Sequence, residues 1–124
     1  MTTRAALLSH DPAMEHDPLT LQRGDLHIDL GRCRVLLAGR PVVPTYPEYL
    51  LLVYLATRPG HVVTKRRLLE EGLGRHDPAG LRLVEEHVRH LKFKLERFGR
   101  AFIEEVDGTG YRFLAQAGEG QHVT

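Results

Sequence analysis

The side chains of this sequence that can do chemistry crowd its middle. Arg82, His87, Arg89, His90, Lys92 and Lys94 fall in one stretch, and Thr64-Lys65-Arg66 lies just upstream. Guanidinium and ammonium groups bind anions, arginine as a planar fork suited to bidentate pairing and lysine as a compact charge on a flexible stem. The basicity is local, because the 124 residues together carry only +1. Residues 1–30 sum to −3, residues 31–60 to +3, residues 61–100 to +4 and residues 101–124 to −3. A basic middle between acidic ends points to a face that binds a polyanion.

Other chemistries find little support. Of the eight histidines, only His87 and His90 have a helical spacing that could share a ligand sphere. No HExxH motif and no Cys/His cluster accompanies them, so neither a metal nor a cofactor is expected. The single cysteine, Cys33, cannot form an internal disulfide and is expected to be a small buried residue at the start of a strand. Gly108-Thr109-Gly110 lies between two strand-like runs rather than before a helix, so it is no phosphate-binding loop. Glu104 and Glu105 are neighbours on a strand and point to opposite faces, which prevents a carboxylate pair. No nucleophile stands beside a plausible base, and an enzyme is not expected. The longest apolar run, Tyr49 to Ala56, is far short of the ~20 residues that span a bilayer. With no signal-peptide pattern either, the expectation is a cytoplasmic protein with no membrane partner.

The elements that must position the basic residues can be read in order. Residues 1–24 read as an arm, and residues 117–124 as a flexible tail. His-Asp-Pro recurs at 10–12, 16–18 and 76–78, and each copy predicts a turn. Leu26, Ile28 and Leu30 alternate with polar residues, Cys33 to Leu37 follows, and then Arg40 to Val43. Such short connections predict an antiparallel meander. Thr45-Tyr46-Pro47-Glu48 is a capping box that opens a helix to about Thr57. His61-Val62-Val63 reads as an extended link, and Thr64 as the cap of a second helix to about Glu71. A glycine-rich loop leads to a third helix, from about Leu81 to Phe98. Its stripe of Leu81, Val84, Val88, Leu91 and Leu95 is expected to be buried. Residues 102–106 and 111–114 form a hairpin around Asp107-Gly108-Thr109-Gly110. The fold class is therefore α+β. It is a winged helix-turn-helix over residues 25–116, with an N-terminal antiparallel sheet, three helices and a C-terminal hairpin wing.

From about Leu26 to Leu114 the chain resembles the OmpR/PhoB-type effector domains of bacterial response regulators. Val43-Pro44-Thr45-Tyr46-Pro47-Glu48-Tyr49 resembles the opening of that family's first helix, and Arg58 to Leu69 its Pro-Gly-x-Val-Val-Ser-Arg-x-x-Leu segment. Val84 to Glu96 resembles its recognition helix, and Ile103 to Phe113 its Gly-x-Gly-Tyr-Arg-Phe wing. The chain starts at Met1 with no room for a preceding receiver domain, so control by aspartyl phosphate within it is not expected.

The resemblance implies a sequence-specific regulator of transcription that binds double-stranded DNA through residues 81–98 in the major groove. Arg82, His87, Arg89, His90 and Lys92 would meet base edges or phosphates, and Lys94 a phosphate. Thr64, Lys65 and Arg66 would hold a backbone phosphate at the start of the second helix. The wing is Asp107, Gly108, Thr109, Gly110 and Arg112. Here Asp107 stands where the family places an arginine, and Glu105 where it places a threonine. Two carboxylates there would repel phosphates. With Glu86 they favour a second reading, a winged-helix module that contacts a protein such as RNA polymerase or a sigma factor. Leu73-Gly74 replaces the family's Trp-Gly in the loop that commonly meets polymerase. Finally, the first helix is apolar all round. Leu50, Val53 and Tyr54 fall away from the expected core and suggest a homodimer face.

Overall fold

The structure is a computed structural model, and it describes residues 19–97 and 99–114. Most of the expected arm, with the first two His-Asp-Pro turns, lies outside the described residues, as does the tail.

Four strands form an antiparallel meander in chain order: β1 (Thr20–Arg23), β2 (Leu26–Asp29), β3 (Arg34–Leu37) and β4 (Arg40–Val42). The sheet begins earlier than expected. Residues 20–23, read above as part of the arm, pair with β2 from Thr20↔Asp29 to Arg23↔Leu26. Cys33 also differs from expectation. It is exposed and closes the β2–β3 loop at φ 54°, a left-handed conformation that breaks the pleat before β3 starts. The inward alternation begins instead at Val35 and continues at Leu37. β3 and β4 are joined by Ala38 (φ 52°) and Gly39 (φ 81°). Two consecutive left-handed residues are the type I′ turn that matches strand twist, with Gly39 free of the steric cost that Ala38 bears.

Helix α1 (Tyr46–Ala56) starts at the expected capping box. Glu48 N–H donates to Thr45 Oγ1 (3.3 Å), and Thr45 N–H donates back to Glu48 Oε1 (3.0 Å). Its all-round apolarity has a physical reason: the helix is central. Tyr49, Leu51, Leu52, Leu55 and Ala56 share one core with Leu26, Ile28, Val35 and Leu37 of the sheet and with Val84, Val88, Leu91 and Leu95 of the third helix. Tyr54 lines the same groove as Leu50 and Val53, with little of it open to solvent. It is buried, its hydroxyl donates to Glu71, and its ring lies 3.6 Å under the Arg58 guanidinium. Leu50 and Val53 are half-buried and pack against the core from one wall of an open groove that also holds Leu30, Cys33 and Tyr46.

The link after α1 is a strand, β5 (Val62–Thr64). It leads into α2 (Lys65–Arg67), which widens into a π-helical turn (Leu68–Gly72), where Leu73 N–H reaches Leu68 O at 3.0 Å. The third helix, α3 (Gly80–Glu96), buries the expected stripe, with Leu81 only partly covered. β6 (Ile103–Val106) and β7 (Gly110–Phe113) make the hairpin, and β5 adds to its β7 edge to give the order β5-β7-β6. Gly110 is what allows that edge to close. A Cβ there would lie 2.0 Å from Val63 O, so any side chain would push β5 away. Among the described residues no helix is long and apolar enough to cross a membrane.

Candidate nucleic-acid interface

Helix α3 offers one face to the core and the opposite face to solvent. At 100° per residue, Arg82, Glu86, Arg89 and Phe93 form a row opposite Val84, Val88, Leu91 and Leu95. Arg82, Glu85, Glu86, Arg89, His90 and Phe93 are exposed, and His87 is half-buried at the edge. Guanidinium groups in such a row are presented outward on a rigid element, as a helix reading a groove requires.

Two expected cations are engaged within the fold. Lys94 Nζ donates to Glu48 Oε1 (2.7 Å) and to Val43 O (3.1 Å), which clamps α3 to the start of α1. Lys92 Nζ donates to Ile103 O (2.5 Å) and lies 3.5 Å from Glu96, which ties α3 to β6. Helical geometry explains both. Each lies just beside the buried stripe, and a flexible stem lets the ammonium reach a neighbour. Glu48 is 2% exposed. Burial alone would raise its pKa. The Lys94 bond, the Thr45 N–H and the charges of Lys94 and His90 outweigh burial and hold the carboxyl below the usual range. His90 Nδ1 stands 4.0 Å from the other Glu48 oxygen.

The entrance of α2 is likewise tied down. Thr64 Oγ1 accepts from Arg67 N–H (3.1 Å), so the cap is formed. Lys65 Nζ donates to Glu85 Oε2 at 2.7 Å and fixes α2 against α3. That bond lowers the Glu85 pKa and raises that of Lys65. Arg66 reaches outward with its side chain 75% exposed, 3.9 Å from Glu70.

Beside α3 the wing projects with Asp107 (φ 48°), Gly108 (φ 70°) and Thr109 exposed at its tip. Thr109 N–H closes the tip on Val106 O at 2.8 Å. Arg112 is paired across the hairpin with Glu104 at 2.6 Å. Glu105 faces the other way, into a cleft of about 290 Å³ between α3 and the wing that Lys65, Glu85, Arg89 and Tyr111 also line. Burial pushes the Tyr111 phenol up. The structure thus brings Arg82, Arg89, His90, Arg66 and the wing tip to the surface. It turns Lys65, Lys92, Lys94 and Arg112 to internal partners. Phe93, left out of the expected contact set, is 71% exposed on the outward face of α3, in its last turn. Its place in the row with Arg82 and Arg89 was the available signal.

Residues 39–113 match the family model described as transcriptional regulatory protein, C terminal. The chain belongs to this family. Over 102 residues the OmpR/PhoB-type domain is 35% identical to the transcriptional regulatory protein TcrA of Mycobacterium tuberculosis, spanning 82% of this chain and 40% of that protein. The chain thus spans about two-fifths of the length of the curated relatives it matches. Among solved structures the domain is similar to the response regulator DrrB of Thermotoga maritima, an OmpR/PhoB homologue. The TM-score is 0.69 at 29% identity, over 82% of this chain and 47% of that one. It is equally similar to the Klebsiella pneumoniae RstA DNA-binding domain in complex with the RstA box. There the TM-score is 0.69 at 28% identity, over 77% of this chain and 97% of that one.

Proposed function

We propose that this domain is a sequence-specific regulator of transcription that binds double-stranded DNA with α3 in the major groove. The observation that carries this reading is the exposed α3 row of Arg82 and Arg89, held by a buried opposite face and by the Lys65–Glu85 and Lys94–Glu48 ion pairs. Arg82 and Arg89 reach base edges or phosphates, with His87 and His90 beside them. Arg66, at the entrance of α2, meets the backbone. Lys65, Lys92 and Lys94 act chiefly by holding α3 in place. The RstA complex supports the reading, because a domain of the same fold is seen there on its DNA. Selection of duplexes from a random-sequence pool tests it: an enriched sequence is expected, and Arg89→Ala is expected to lose it.

The carboxylates of Glu105 and Asp107 favour a second reading, a winged-helix module whose partner is a protein such as RNA polymerase. A chain that enriches no duplex yet binds polymerase in a pull-down would establish that reading instead. Within the first reading, a second copy seated on the Leu50–Val53 groove would give two DNA-contacting modules a fixed spacing.

A further inference from the structure

Phe93 is a large apolar side chain in the outward α3 row that otherwise holds Arg82, Glu86 and Arg89. Its side chain is 71% exposed, although the core of this domain lies directly behind the same helix. It lies on the outward face in the last turn of α3, one turn after Arg89 and one turn after His90 on the adjoining row. Among the described residues of α3, its neighbours along the same row are Glu86 and Arg89, so on its own helix the ring follows charged side chains. An exposed aromatic needs no partner by itself, but on a helix that contacts DNA it meets a surface that is apolar at points and anionic around them. The major groove of DNA is such a surface. Its base edges carry donors and acceptors, and one apolar feature, the 5-methyl group of thymine. Phosphates flank that edge and suit the neighbouring guanidinium.

We propose that Phe93 determines specificity by packing its ring against the 5-methyl group of one thymine in the bound sequence. The inference rests on the reading of α3 as the DNA-contacting helix and adds to it a defined base preference. Arg82 and Arg89 supply bonds to guanine or phosphate, and Phe93 supplies discrimination that neither cation can provide. A 5-methylcytosine at the same edge presents the same methyl group and is contacted likewise.

The test uses the duplex enriched from a random-sequence pool by the full chain. Each thymine in it is replaced singly by uracil, which removes the methyl group and leaves base pairing unchanged. At one position the wild-type chain is expected to lose about fourfold in affinity, the value of one buried methyl group. Phe93→Ala is expected to bind the thymine duplex more weakly by a similar factor and to be indifferent to uracil at that position. Phe93→Leu, which keeps an apolar side chain, is expected to retain part of the response. Wild-type binding that no uracil weakens overturns the inference alone, as does Phe93→Ala with undiminished sensitivity. Failure of the wild type to enrich any duplex overturns both the inference and the reading on which it rests. Because Phe93 is exposed, circular dichroism of both variants should match the wild type, and a variant that unfolds places the ring in the core and overturns the assignment.

Discussion

At the scale of single residues, the proposed DNA contacts and the internal ion pairs involve different cations. Arg89 is exposed on the outward face of α3. Arg89→Ala should cost about 1–3 kcal/mol of binding where the guanidinium reads a base, with an unchanged thermal midpoint. Fluorescence anisotropy on the enriched duplex measures it, and unchanged affinity would remove Arg89 from the interface. Lys94 and Glu48 concern folding instead. The folded pKa of Glu48 is depressed from its ordinary 4.5. Its contribution is therefore present above pH 4.5 and lost as the pH falls through the lower folded value. Glu48→Gln should flatten that acid-side loss of stability in urea titrations run from pH 6 downwards. An unaltered pH profile would show that the pair does not contribute. The capping role of Glu48 was legible in the sequence because Thr45 is its local partner. Its bond to Lys94 was not, because that contact joins residues on different helices, and spacing along the chain carries no information about it. The same holds for Lys92, whose acceptor is the Ile103 carbonyl.

At the scale of elements, the wing and α2 are one assembly. β5 pairs with β7, and Lys65 N–H reaches Thr109 O at 3.4 Å. Gly110→Ala should therefore destabilise the domain by about 1–3 kcal/mol or more, as an overpacked contact does, since its Cβ would meet backbone rather than a yielding side chain. Thermal denaturation reads this directly, and a midpoint equal to wild type would refute the close approach. Asp107 stands exposed at the wing tip, where its charge would repel a phosphate brought near it. Asp107→Arg should tighten duplex binding and steepen its salt dependence by about one phosphate contact. An unchanged slope would mean that the wing stays off the DNA. Helices and hairpin were readable from periodicity and turn residues. β5 was read as a link because Val62-Val63 is too short to show alternation, and pairing alone makes it a strand. Cys33 was misread for a related reason: its residue type fits a strand, but its left-handed φ is set by the loop it closes.

At the scale of the molecule, α1 shares one core with residues of the four-stranded sheet, of the three-stranded wing sheet and of α3, whose opposite face is exposed. Central placement explains why α1 shows no polar side. Leu50, Val53 and Tyr54 line one groove, with Tyr54 largely covered by Arg58 and bonded to Glu71. If a second copy seats on that groove, sedimentation at rising concentration should show a dimer that Leu50→Glu/Val53→Lys abolishes. A wild type that stays monomeric at high micromolar concentration removes the proposed pairing and leaves α3 untouched. The family matches span about two-fifths of relatives such as TcrA, so what this domain does is best measured on the domain itself. The most direct measurement is the affinity of the chain for its enriched duplex and for a scrambled duplex of equal length, at several salt concentrations. The account predicts that log K falls linearly with log salt for both duplexes and that the enriched one is held at least about 10³-fold tighter at physiological salt. Equal affinity for the two duplexes, or no binding to either, would contradict it.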